Sequence, residues 1–312
     1  MYNMYSYNRI IAIGDIHGDY KIFIKCLEVA KLIDTQMNWI GKDTYLIQLG
    51  DTLDGKRPGT KIDPDFLQES GEVEILKYIL YLDSQAKNQG GRVISLIGNH
   101  ELYPYYLQND KSFIKDFVKT ADTQEFKKYY NIDRVKFLQP GNIGGSLIGR
   151  TRPLVLQLGE FLFVHGSITD TLIKNNLVNG KVDIAEINKK TSMWLQGKGK
   201  IPEFLSDMSE ENPVFSRLYS NKKDFTEKEC KKLEDQLKYF NGVNYIVMGH
   251  SRFKTINSTC NKKLIRTDVS LSRAFGGKIS DKNIQMLEIN QFPDRSPDIK
   301  VITEKSKINI KD

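Results

Sequence analysis

RIIAIGDIHGD, residues 9–19, is an unbroken apolar run from Ile10 that stops abruptly at Gly14-Asp15. A run without polar alternation suits a strand covered on both faces. Glycines allow a tight turn after it and close backbone approach to whatever binds there. Four more stretches have this form: YLIQLGD (Tyr45–Asp51), RVISLIGNH (Arg92–His100), FLFVHG (Phe161–Gly166) and YIVMGH (Tyr245–His250). Amphipathic helices are predicted between them. Asp19–Ile33 gathers Phe23, Leu27 and Ala30 on one face, and Glu72–Asp83 gathers Val73, Leu76, Ile79 and Leu80. Thr226–Phe240 presents Cys230, Leu233 and Leu237 before Asn241-Gly242 ends it. Strands alternating with helices indicate the α/β class. Tyr103–Tyr130 and Ile168–Lys189 are also expected to be helical, capping one end of the sheet. A last strand is predicted at Asp298–Thr303, followed by a frayed Lys-rich terminus.

The chain contains only four histidines, and His17, His100, His165 and His250 all fall at the C-terminal ends of these strands. Ligands of α/β sheets bind at that end, so the loops should converge on one site. The same loops carry Asp15, Asp51 and Asn99, and no cysteine. Carboxylate, imidazole and amide ligands suit one or two divalent ions such as Mn, Fe or Zn. Six ligands exceed the need of one open catalytic ion. A carboxylate shared by two ions holds them ~3.5–4 Å apart with a bridging water as nucleophile, an arrangement that attacks phosphorus in line. Singly, a Gly-Asp pair is a turn and a buried His a hydrogen-bonded core residue. Together the loops specify a dinuclear metal site.

Composition narrows the remaining classes. The 312 residues are 39% hydrophobic and 27% charged, which fits a soluble globular chain rather than a disordered one. Apolar runs such as Phe161–Val164 are far short of the ~20 residues that span a bilayer. MYNMYSYNRI is not a signal stretch, so a cytoplasmic protein with no membrane partner is expected. Cys26, Cys230 and Cys260 are odd in number and widely spaced, which argues against a disulfide framework and fits a reducing interior. The formal charge of +7 is read as a solvated surface. Without aromatic-basic interleaving, no nucleic-acid partner is expected.

The motifs GDIHG (Gly14–Gly18), GDTLDG (Gly50–Gly55), GNHE (Gly98–Glu101), His165-Gly166 and GHS (Gly249–Ser251) resemble those of the calcineurin-like metallophosphoesterases. Glu101 and Asp54 resemble the phosphoprotein phosphatase branch. ENPVFSRLYS (Glu211–Ser220) and LIRTDVSLSRAFGG (Leu264–Gly277) resemble the Shewanella-like protein phosphatases. The resemblance implies an α/β fold, a β-sandwich flanked by helices. Its catalytic domain would span 9–292 with helical cap insertions at about 102–145 and 168–225, between an N-terminal extension (1–8) and a C-terminal strand and Lys-rich tail (293–312). It further implies two divalent metal ions, manganese foremost with Fe or Zn as alternatives. Asp15 and His17 would hold the first, Asp51 would bridge, and Asn99, His165 and His250 would complete the second. His100 would protonate the leaving alcohol, oriented and kept protonated by Asp54, since a carboxylate beside an imidazole favours the charged ring. Arg217 would bind phosphate oxygens bidentately.

Two positions depart from the family. Where it reads GDxxDRG, this chain has Gly55 followed by Lys56, Arg57, Pro58 and Gly59, so either Arg57 or Lys56 reaches in from a reshaped loop or Arg217 acts alone. Ser167 stands where many relatives have a second glycine. The expected activity is a phosphatase acting on a phosphoprotein or phosphopeptide at serine or threonine, with tyrosine left open. The alternatives are a dinucleoside polyphosphate or nucleotide phosphoesterase and an inactive phospho-binding module.

Overall fold

The computed structural model describes residues 9–220, 222–292 and 294–310, so the expected N-terminal extension (1–8) lies outside the described residues. The chain begins with β1 (Arg9–Ile13), α1 (Tyr20–Val29), β2 (Tyr45–Gln48), α2 (Pro64–Gln68), α3 (Glu72–Lys87) and β3 (Arg92–Ser95), the three strands pairing in parallel. A helical stretch follows: α4 (Asn99–Tyr106), α5 (Lys111–Phe117), α6 (Thr120–Tyr130), α7 (Arg134–Leu138) and α8 (Ile143–Thr151). Then come β4 (Val155–Leu158), β5 (Phe161–Val164), α9 (Asp170–Lys174), β6 (Leu177–Val178), β7 (Lys181–Val182), α10 (Ile184–Leu195) and α11 (Glu227–Leu237). The last elements are β8 (Tyr245–Met248), β9 (Asn257–Thr259), β10 (Leu264–Arg266), β11 (Gln285–Asn290), β12 (Asp298–Thr303) and β13 (Lys307–Asn309).

The strands form two main sheets, ordered β13-β12-β11-β1-β2-β3 and β4-β5-β8-β10-β9. Their shared core shows how they pack. Successive strand residues point to opposite faces. Phe161, Phe163, Val247 and Ile265 join the cluster holding Ile10–Ile13, Leu46, Ile47 and Leu287. Their neighbours Leu162, Val164, Ile246 and Leu264 face a second cluster with Ile148, Ile187, Trp194 and Leu237. Burial on both faces explains the apolar runs, and the layered result is a β-sandwich flanked by helices.

Several boundaries differ from expectation, each for a local reason. Asp19 caps α1, its side chain accepting from Ile22 N–H at 3.3 Å, and the helix ends by Lys31, which adopts φ 56°. α3 continues past Asp83 to Lys87. Turns break Tyr103–Tyr130 into α4, α5 and α6. Within Ile168–Lys189, Asn179-Gly180 takes φ 51° and 76° and closes the β6–β7 hairpin instead of continuing a helix. α10, expected as cap, lines the outer face of the second sheet together with α8. The Lys-rich end adds β13, whose Lys307 reaches both Glu288 oxygens at 2.9 Å. Cys230 and Cys260 form a disulfide, with Cα atoms 5.2 Å apart, leaving Cys26 as the free cysteine among the described residues. Counting thiols misses this because only the fold brings α11 against the β9–β10 turn.

α6 is fastened to the N-terminus of α3 by Asp122, which accepts from the N–H groups of Gly71 and Glu72 at 2.9 and 3.3 Å. Nearby, burial and then the adjoining Glu74 push the Glu125 carboxyl up to about 8, from an ordinary 4.5. The folded chain therefore keeps a proton that the unfolded chain loses, and this contribution to stability disappears as pH rises from about 4.5 to about 8. Glu125→Gln is expected to flatten that decline, raising Tm by a few degrees above neutral pH while leaving the mildly acidic value unchanged. Thermal melts across pH check it. A parallel decline in both proteins would contradict the assignment.

Candidate metal centre

The C-terminal ends of β1, β2, β3, β5 and β8 meet at one edge of the sandwich. Their turns are tight: His17, Asp51, Asp54 and His250 adopt φ of 38°, 54°, 67° and 67°. Left-handed backbone at a non-glycine residue costs on the order of 1 kcal/mol or more, and needs surrounding bonds to hold it. Asp51 C=O accepts from His17 N–H at 2.9 Å. Glu101 accepts from the N–H groups of Gly98, Asp51 and Thr52 at 2.7, 2.9 and 2.8 Å, with Arg152 3.2 Å away as its counter-charge. The last residue of GNHE thus holds the Asp51 loop against α4. Gly14 is required by packing, since a Cβ there would lie 2.8 Å from the Thr267 carbonyl.

Asp51 sits between two groups of donors. Its Oδ2 lies 3.8 Å from His17 Nε2 and 3.7 Å from His100 Nε2, while Oδ1 is 3.4 Å from His165 Nε2. Two donor sets share it: His17, Asp51 and His100, and Asp51, His165 and His250. Asp15 Oδ2 is 3.8 Å from His17 Nε2, and Asn99 Oδ1 is 2.9 Å from His165 Nε2. Backbone carbonyls fix the rings. His17 Nδ1 is 3.0 Å from Leu53 O and His165 Nδ1 is 2.7 Å from Leu49 O, which turns each Nε2 inward. His250 Nε2 is instead 3.1 Å from Phe215 O, leaving Nδ1 to face the centre.

The electrostatics call for cations. Burial, then the charge of Asp268, holds Asp15 well above the usual carboxylate range. Burial opposes charge on His165, but Asp51 and Asp15 outweigh it and push the ring up to about 10. Burial, then Arg57, holds His17 well below its ordinary value, and burial, then His165, does the same for His250. Both shifts favour the neutral ring that ligation requires. Asp268 Oδ2 is buried without a hydrogen-bond partner among the described residues. Clustered carboxylates, neutral imidazoles and an orphaned carboxylate oxygen fit divalent metal.

The loop after Asp51 explains the departure at Gly55. A Cβ there would lie 2.6 Å from Lys119 Cε, because the buried Lys119 chain fills this space on its way to Glu69 O at 2.7 Å. Two residues later, Arg57 enters the cleft. Its Nη2 lies 2.6 Å from His17 Nε2 and 3.3 Å from His100 Nε2, and its guanidinium is 4.9 Å from the Phe275 ring centre. Lys56 is not brought to the site: its ammonium turns away to the Lys115 carbonyl on α5. Arg217 lines the cleft from the ENPVFSRLYS segment, bonded to Ser251 Oγ at 2.6 Å and His250 O at 3.0 Å. Ser167 N–H ties that segment down through Pro213 O at 2.8 Å. The cleft measures about 870 Å³.

His100 Nδ1 is 2.7 Å from Asp54 Oδ2, so its Nε2 faces the cleft. Sequence reading passed over Glu101's scaffolding role, Asp268, Arg134 and Arg273. Arg273, in LSRAFGG, grips Asp19 through Nε at 2.9 Å and Nη2 at 2.7 Å, locking the turn after β1 to the C-terminal segment. Glu101, Asp268 and Arg273 stand in the quoted motifs. Arg134 has no such signal.

Residues 8–251 match the sequence profile described as calcineurin-like phosphoesterase. Shewanella-like protein phosphatase 1 of Plasmodium berghei (strain Anka) is 29% identical over 298 residues, covering 90% of this chain and 74% of that protein. Shewanella-like protein phosphatase 2 of Arabidopsis thaliana is 27% identical over 333 residues, covering 95% and 77%. Among solved structures, the cold-active protein-tyrosine phosphatase of a psychrophilic Shewanella species superposes with a TM-score of 0.70 at 20% identity, covering 99% of this chain and 83% of that one. No helix among the described residues is long and apolar enough to cross a membrane.

Proposed function

The chain belongs to the calcineurin-like phosphoesterase family, and we propose that it is a metal-dependent phosphomonoesterase that dephosphorylates proteins at serine or threonine. The observation carrying this reading is Asp51, whose two oxygens face different histidine sets. Asp15, His17 and Asp51 would hold one divalent cation and Asp51, Asn99, His165 and His250 a second, with manganese as the expected metal. When bound, two such ions acidify water and offset phosphate charge. His100 holds a proton at Nε2 for the departing alcohol oxygen while Asp54 fixes its other nitrogen. Arg57 and Arg217 flank the cleft with guanidinium groups suited to bidentate phosphate contact. Protein substrates are supported by the named activity of the Plasmodium and Arabidopsis relatives.

The test is a substrate panel on Mn²⁺-loaded protein: phosphoserine, phosphothreonine and phosphotyrosine peptides, an aryl phosphate and diadenosine tetraphosphate. Fastest turnover of the phosphoserine or phosphothreonine peptides is expected. Preference for the tetraphosphate would overturn the reading in favour of the nucleotide phosphoesterase, and binding without any hydrolysis in favour of the inactive module. Arg57→Ala is expected to raise KM roughly 10-fold or more, the worth of a hydrogen bond to a charged group. Lys56→Ala should leave KM unchanged. Steady-state kinetics of both variants check the pair.

A further inference from the structure

We propose that Arg134, contributed by α7, is a positioning residue that orients the proton-donating His100 through Asp54. This rests on the phosphomonoesterase reading above. An aspartate that holds an imidazole through one oxygen keeps a broad, roughly two-fold freedom about its terminal torsion. Here that freedom is removed. Asp54 Oδ2 is 2.7 Å from His100 Nδ1, and its Oδ1 accepts from Arg134 Nη2 at 2.6 Å. Glu72 closes the arrangement. It accepts from Arg134 Nε at 2.6 Å and Nη2 at 2.9 Å, and from the Asp54 backbone N–H at 2.8 Å. Carboxylate plane and backbone are therefore both fixed, at an aspartate whose φ is 67°.

Arg134, Asp54 and Glu72 are fully buried, and Arg134 Nη1 has no hydrogen-bond partner among the described residues. The guanidinium is thus aimed by these two carboxylates. A buried ion triad contributes little more stability than apolar packing of the same volume, so orientation is the better account of its presence. The placement also gives the cap a function. α7 follows α6, which Asp122 fastens to the start of α3, beside Glu72.

Proton donation matters only when the leaving group needs it, and this supplies the readout. Cleavage of the P–O bond of a phosphoserine peptide expels the serine oxygen, which must take up a proton to leave as the alcohol, whereas 2,4-dinitrophenyl phosphate expels a phenolate stable without one. Arg134→Gln is expected to lower kcat on the peptide by on the order of 100-fold, as a misplaced reacting group does. KM should stay within about 2-fold, kcat on the dinitrophenyl ester within about 3-fold, and bound metal unchanged. Glu72→Gln leaves Arg134 its bond to Asp54 and one acceptor oxygen, and should show a smaller loss of the same kind. Arg134→Lys should restore part of the peptide rate. In an Asp54→Asn background, Arg134→Gln should add no further peptide-selective loss.

Equal losses on the two substrates, or none on the peptide, overturn the proposal. If Arg134→Gln does not fold, the same comparison is read from Glu72→Gln and Arg134→Lys, and equal losses there overturn it too. Wild-type protein that cleaves neither ester removes the phosphatase reading and this proposal with it. An active wild type with substrate-blind variants removes this proposal alone.

Discussion

Asp51→Asn is expected to lower kcat by about 1,000-fold or more, the equivalent of several kcal/mol of lost charge stabilisation. The asparagine keeps the shape, and its amide oxygen can still accept from His100 N–H as Asp51 Oδ1 does at 2.9 Å. It loses the negative charge that faces both histidine sets, and its NH₂ group turns a donor toward one of them. Burial disfavours charge at Asp51, and the histidines around it hold the carboxyl well below the ordinary range nonetheless. The anion is therefore what the fold has built for. Metal analysis alongside kinetics separates causes, because the variant should bind metal poorly as well as react slowly. An intact rate would sink the two-metal mechanism.

His100→Asn should be almost as damaging for a different reason. Removing a general acid costs about 100- to 10,000-fold, concentrated in kcat. His100 Nε2 also lies 3.7 Å from Asp51 Oδ2, within the donor set that includes His17. The variant therefore discriminates acid from ligand. Unchanged metal content with a slow kcat on alkyl phosphates and a nearly normal rate on dinitrophenyl phosphate identifies the acid. Loss of metal with equal losses on both substrates identifies a ligand.

Much of this site can be read from the chain because each key residue directly follows an apolar run. Strand direction alone sends Asp15, Asp51, Asn99, His165 and His250 to the same edge. The division of those strands between two sheets leaves no comparable mark, since Phe163 and Leu162 are equally apolar yet face different cores. The loop at Gly55 is ambiguous for a related reason. Nothing near it announces that Lys119, far along the chain, fills the adjoining space and that Arg57 is the residue left to enter the cleft. Arg134 meets Asp54 across a separation of 80 residues, and Cys230 meets Cys260 only once α11 has packed. Local patterns specify the strand ends. Long-range packing decides which charges support them.

The most direct measurement is a calorimetric titration of chelator-treated protein with Mn²⁺, with hydrolysis of a phosphoserine peptide followed on the same samples. Two ions per wild-type chain are predicted, with hydrolysis absent after chelation and restored as both sites fill. A single ion per chain, or hydrolysis undiminished by chelation, would contradict a dinuclear centre bridged by Asp51.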